Sequence, residues 1–139
     1  MSQSQLVKDL KSDHAKLVAV LTKVKELGPT AEGLKLLTTA KAALLAHLGK
    51  EDAKLYPELV AAAETDPKVK TTLSIFGKDM DKISKAALDF FAKYEKGVDT
   101  TFEFSRDFGG LLGTLATRIR KEEEQLYPLY DAVVAKKAA

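Results

Sequence analysis

The sequence predicts an all-α protein, an up-down-up-down four-helix bundle made of two similar helical hairpins. Three observations carry this expectation. Apolar residues recur at spacings of three and four along four long stretches. Short breaks with turn or capping chemistry separate them, at Gly28-Pro29, Asp66-Pro67 and Gly97 to Thr100. No segment alternates with period two for long enough to make a strand. At 139 residues the chain has the length of one ordinary domain, so a single domain is expected over residues 1–139.

The first helix is expected from about Ser4 to Leu27, with Leu6, Leu10, His14, Leu17, Leu21 and Val24 along one face. Gly28 tolerates a left-handed cap and Pro29 cannot continue the ladder, so the helix stops there. Thr30 caps a second helix from about Ala31 to Glu64, whose inner stripe is Leu36, Ala40, Leu44, His47, Glu51, Leu55 and Ala62. Pro57 lies inside it and should bend it, because proline removes one backbone hydrogen bond. Asp66 and Pro67 supply the cap and first residue of a third helix. Its stripe is Val69, Leu73, Phe76, Met80, Ile83, Ala87, Phe90 and Tyr94, and Gly97 closes it. Thr100 and Glu103 form a capping box for the fourth helix. That helix turns Phe104, Phe108, Leu111, Leu115, Arg118, Glu122, Leu126, Leu129 and Val133 inward. Gly109, Gly110 and Gly113 weaken it by roughly 1 kcal/mol each relative to alanine, and are read as places for close helix approach or a kink.

Composition narrows the function. About 45% apolar and 30% charged residues fit a globular protein. The net charge of +2 is spread along the chain, which argues against nucleic acid as a partner. There is no cysteine, hence no disulfide framework, thiolate metal site or cysteine nucleophile. No run approaches the roughly 20 apolar residues of a membrane span, and the N-terminal segment lacks the apolar core of a signal peptide. A cytoplasmic protein without a membrane partner is the expectation. No serine or threonine has a visible base in pattern, so nucleophilic catalysis has no candidate.

The informative residues break the apolar stripes. His47 and Glu51 stand four apart on a face that should be buried, and His14 interrupts the first stripe in the same way. A buried carboxylate is costly unless it is paired or bound to metal. The chain also repeats itself: His47, Glu51 and Leu55-Tyr56-Pro57 are answered by Arg118, Glu122 and Leu126-Tyr127-Pro128, and Asp13-His14 by Asp79-Met80. His14 thus corresponds to Met80, His47 to Arg118 and Glu51 to Glu122. Only the carboxylate is kept in both halves.

Asp13-His14-Ala15-Lys16-Leu17 on one helix, followed by His47-x-x-x-Glu51-x-x-x-Leu55-Tyr56-Pro57 on the next, resembles the hemerythrin-like family, the HHE cation-binding domains. The resemblance covers essentially the whole chain. It implies a four-helix bundle that holds non-haem iron, commonly as an oxo-bridged pair, and that carries, senses or responds to dioxygen, nitric oxide or iron. By resemblance, His14, His47, Glu51 and Glu122 fall on metal-ligand positions. A full di-iron site draws histidines from all four helices; here Met80 and Arg118 stand where the family places histidine, which favours one ion over two.

The residues leave two function classes open. In the first, two histidines and a carboxylate form a mononuclear Fe(II) ligand set, with Glu122 as a fourth donor and Met80 as a soft one; zinc accepts the same donors. In the second, no metal is bound. The Arg118 guanidinium neutralises Glu51 and Glu122 by forked hydrogen bonds, and the bundle serves as an interaction or signalling module. An open Fe(II) site could also support peroxidase-like chemistry, although no substrate pocket is legible. A Met/His pair can ligate haem, but no further haem signal appears. Met80 is otherwise ordinary core packing. Tyr56 and Tyr127 are expected to bury their rings and offer their hydroxyls as hydrogen-bond partners. Asp13 is placed on the surface in preference to a role supporting His14, and Glu123 and Glu124 on a solvated face from which only Glu122 turns inward.

Overall fold

In a computed structural model that describes residues 3–138, every regular element is helical and no strand occurs among the described residues. Residues 1, 2 and 139 of the expected domain lie outside the described residues. Helix α1 (Gln5–Leu27) starts at Ser4, whose hydroxyl accepts from the Val7 N–H, and ends at Gly28 with φ 66° and its N–H on the Val24 carbonyl. Glycine is needed there because an L side chain resists that conformation. Helix α2 (Ala31–Lys50) is capped by the Thr30 side chain, continues through a π-helical turn (Glu51–Leu55), and becomes α3 (Tyr56–Ala63). Asp66 caps α4 (Pro67–Glu95), accepting from the N–H groups of Lys68 and Val69. Helix α5 (Thr101–Lys121) continues through a second π-turn (Glu122–Leu126) into α6 (Tyr127–Ala138). These four long rods are consistent with a four-helix bundle.

The expected helix ends are in place, and Pro57 explains the first π-turn. A proline ring collides with the carbonyl four residues back and offers it no N–H. The chain widens by one residue just before it, so the Tyr56 N–H bonds to the Glu51 carbonyl. Pro128 has the same consequence at Tyr127 and Glu122. Only half of the anticipated capping box forms. Thr100 accepts from the Glu103 N–H, whereas the Glu103 carboxylate pairs with Lys93 at 2.5 Å.

Two apolar clusters fill the interior. One gathers Leu17, Leu21 and Val24 of α1, Leu37, Ala40 and Leu44 of α2, and the aromatic group Phe90, Phe91, Tyr94, Phe104 and Phe108. The other gathers Val7, Leu10, Leu55, Leu59, Val69, Phe76, Met80, Leu126, Tyr127 and Tyr130. Between them, on three of the four rods, the pattern turns polar: His14, His47 with Glu51, and Arg118 with Glu122 are all buried. Several stripe residues shift by one. Val7 and Leu37 are buried where Leu6 and Leu36 were expected, and Leu6 and Leu36 flank the core half-buried. The flanking residues Ala62, Leu73, Leu129 and Val133 are likewise half-buried.

The glycines of α5 do not admit a neighbouring helix. A Cβ built at Gly109, Gly110 or Gly113 meets nothing within 4 Å, and α5 runs unbroken through all three. Gly33 is the opposite case, because a methyl there would run into the Gly28 carbonyl oxygen. Gly113→Ala should therefore raise stability by about 1 kcal/mol, while Gly33→Ala should lower it by about 1–3 kcal/mol, both read as shifts of the urea unfolding midpoint.

Candidate metal centre

The polar layer is assembled from all four rods. His14 (α1) turns Nε2 to within 3.1 Å of Glu122 Oε1 at the start of the second π-turn. His47 (α2) turns Nε2 to within 3.6 Å of Glu51 Oε1 and 3.9 Å of Glu122 Oε1. The two imidazole centroids are 4.7 Å apart. Tyr127, wholly buried, donates its hydroxyl to Glu51 Oε2 at 3.1 Å; the Tyr127 hydroxyl oxygen also lies 3.2 Å from His14 Nε2 and 3.5 Å from His47 Nε2. Arg118 (α5) reaches Glu51 Oε1 with Nη2 at 3.2 Å and Glu122 Oε1 with Nε at 3.5 Å. The other terminal nitrogen, Nη1, donates to Ser84 Oγ at 2.7 Å.

Each histidine is braced from outside by a carboxylate. His14 Nδ1 lies 2.7 Å from Glu123 Oε2, and His47 Nδ1 lies 3.2 Å from Asp13 Oδ2. Lys50 holds that Asp13 oxygen at 2.8 Å. An imidazole that donates from Nδ1 to a carboxylate is fixed in orientation, and its Nε2 becomes more basic; metal-binding histidines are held in this way. Two sequence expectations are corrected. Asp13 is not a free surface residue and does not serve His14: neighbours on a helix point about 100° apart, so Asp13 faces α2 and serves His47. Glu123 is not simply solvated, because its carboxylate bonds to His14 although a third of the side chain is exposed. Ser84, the anchor of Arg118, was missed altogether. Its only sequence signal is its place one turn beyond Met80 on the inner side of α4.

Protonation follows from this crowding. Burial, reinforced by the Glu122 carboxylate, pushes the Glu51 carboxyl far above the usual range, against the pull of Arg118 and Tyr127. Burial disfavours charge on His14, but hydrogen bonds to Glu122 and Glu123 outweigh it and raise its pKa. Glu122 is driven up by burial and more strongly down by His14, His47, Glu51 and Arg118, so it keeps its charge. Burial and the two glutamates hold the Tyr127 phenol neutral. The layer also carries a charge deficit. With all four carboxylates ionised and both imidazoles neutral, Glu51, Glu122, Asp13 and Glu123 face only Arg118 and Lys50, which leaves two negative charges over. Protons are recruited where a cation is lacking.

The donor set fits a metal ion. Ligand atoms of His14, His47 and Glu122 all lie within 4.8 Å of one another, and this group could hold one. At 3.1 Å an imidazole lone pair and a carboxylate oxygen repel, so a proton or a cation must stand between His14 and Glu122. Among the described residues, the buried side-chain polar atoms without a hydrogen-bond partner are Glu122 Oε2, Arg118 Nε and Tyr56 Oη. The first is a spare acceptor inside the layer. The expected ligand positions are thus distributed: His14, His47 and Glu122 converge, while Glu51 spends its oxygens on Arg118 and Tyr127. Met80 lies in the apolar cluster against the layer.

Arg118 is the ion-pair partner of both buried glutamates. Replacing it by Met strands these carboxylates and should destabilise the chelator-treated protein by about 3–5 kcal/mol, measured by chemical denaturation. Adding Glu51→Gln to that variant should restore part of the loss.

The model of the hemerythrin HHE cation binding domain matches residues 5–130. No curated protein and no solved structure matches the chain at a significant level. The match spans nearly the whole chain and includes both halves of the polar layer; the chain belongs to the hemerythrin HHE cation-binding domain family.

Proposed function

We propose that this protein binds a single non-haem divalent metal ion, iron, through His14, His47 and Glu122 with Glu51 beside them, and that it serves in binding or sensing iron, dioxygen or nitric oxide. The observation that carries the reading is the bracing of both histidines. Two imidazoles pinned at Nδ1 by Glu123 and Asp13 present Nε2 to one carboxylate at the level where the charge deficit lies. The count of ions follows from charge. One divalent cation offsets the two negative charges left over, whereas two would leave the buried layer positive. Imidazole and carboxylate donors suit iron, and zinc as well. Bound iron supplies redox chemistry and open coordination positions for a diatomic ligand. Around it, the chain's own residues keep the imidazoles oriented, and two apolar clusters keep bulk water away.

The same proposal takes the rods to run up-down-up-down. Connections over residues 28–30, 64–66 and 96–100 are short, and short connections join antiparallel neighbours. Helix α1 packs on α2, α3 on α4, and α4 on α5. No helix among the described residues is long and apolar enough to cross a membrane.

The metal-free alternative rests on one observation, the contact of Arg118 with both glutamates. One guanidinium offsets only one of two buried carboxylates and leaves Glu122 Oε2 without a partner. Elemental analysis of tag-free protein grown with iron supplied separates the readings. About one equivalent of iron in the wild type and none in His47→Ala is the expected result. One equivalent of zinc would keep the site and change the metal; a metal-free wild type would leave the ion-pair reading in possession. Asp13→Asn and Glu123→Gln should each weaken metal binding about 10–100-fold in chelator competition, with helical content unchanged.

A further inference from the structure

We infer that Arg118 is a built-in cation filling the second of two repeat-related cation positions, and that its guanidinium, anchored on Ser84, limits the layer to one metal ion. The inference rests on the metal reading above and concerns what sets the number of ions.

The repeat supplies the two positions. His47 and Glu51 in the first half correspond to Arg118 and Glu122 in the second, and His14 corresponds to Met80. The contacts correspond as well. His47 Nε2 stands 3.6 Å from Glu51 Oε1 one turn along its own rod, and Arg118 Nε stands 3.5 Å from Glu122 Oε1 one turn along its own. Across the halves, His47 Nε2 of the first stands 3.9 Å from Glu122 Oε1 of the second, and Arg118 of the second reaches Glu51 Oε1 of the first at 3.2 Å. Where the first half offers lone pairs to a cation, the second half offers the cation itself. Like a metal ion, the guanidinium bridges one carboxylate from each half.

Three features make it a fixture. Arg118 is buried, with 4% of its surface exposed. Ser84 on α4 holds one terminal nitrogen at 2.7 Å, and Glu51 holds the other. An arginine stays charged at any ordinary pH, so the position does not empty by deprotonation. Met80, the repeat partner of His14, sits 4% exposed in the adjoining apolar cluster and brings no nitrogen donor to that side.

The test is metal per chain, by elemental analysis after exhaustive dialysis, with circular dichroism as the check on folding. Wild type, Arg118→Lys and Met80→His should each hold one ion, because a cation remains in the second position. The double variant Met80→His/Arg118→His should hold two. One ion in the wild type and one in a folded double variant overturns this inference and leaves the metal site standing. Two ions in Met80→His with Arg118 present also overturn it. No ion in the wild type removes the site reading and this one together. Should the double variant not fold, Arg118→Gln decides. Without the positive charge beside the site, the first ion should bind at least about tenfold more tightly in competition with a chelator, and an unchanged affinity overturns the inference.

Discussion

Two carboxylates with no access to water govern the interior of this molecule. Glu51 and Glu122 are 0% and 1% exposed, and each lies between apolar clusters that would otherwise be continuous. Taking an ion of this kind out of water costs several kcal/mol even after the protein relaxes. The surrounding layer answers that cost in graded fashion. Arg118 supplies a full charge, Tyr127 supplies a hydrogen bond, and the imidazoles supply either a proton or a lone pair for a cation. Outside them Asp13, Lys50 and Glu123 fix the imidazoles while remaining partly in contact with solvent.

The apolar clusters take part in this chemistry through the dielectric. Attractions within the layer gain strength because Leu17 and Leu44 on one side and Leu10, Leu55 and Tyr127 on the other keep water out. The same exclusion raises the cost of any group left without a partner. That is why the unsatisfied atoms Glu122 Oε2, Arg118 Nε and Tyr56 Oη are informative: all three belong to the paired Glu-Tyr and Arg positions of the repeat. Tyr127 bonds to Glu51, and its repeat partner Tyr56 has no such bond to Glu122. Symmetry of sequence has been kept there and symmetry of contact has not.

How much of this was legible in the sequence depends on whether a property belongs to one helix or to a pair. Caps, breaks, and the inward places of His14, His47, Glu51, Arg118 and Glu122 follow from spacing along a single rod. The pairing of Asp13 with His47, of Glu123 with His14 and of Ser84 with Arg118 depends on how neighbouring rods are rotated, which no single stripe specifies. The shift from Leu36 to Leu37 and from Leu6 to Val7 has the same origin, since adjacent leucines or valines satisfy a stripe equally well until a partner surface chooses. The α5 glycines misled for a related reason. Small residues permit close approach without requiring it, and here that face of the helix is open.

The π-turns link the site to the packing beneath it. Along the second rod the inward positions run His47, Glu51, Leu55, Leu59, and along the fourth Arg118, Glu122, Leu126, Tyr130, each in unbroken steps of four. A regular α-helix advances about 400° in four residues, so three such steps would drift by about 120° and carry the last residue out of the core. The extra residue in each widened turn absorbs that drift. Straightening such a turn with every residue kept would be a change of phase more than a loss of contacts: the rod would become a regular helix, and everything beyond it would rotate by about 100°. The carboxylate layer and the apolar cluster past it are therefore inherited together. A lineage that abandoned the polar site could replace its side chains one at a time, but it could not straighten the backbone at constant chain length without also rebuilding the core around Leu55, Leu59, Leu126 and Tyr130.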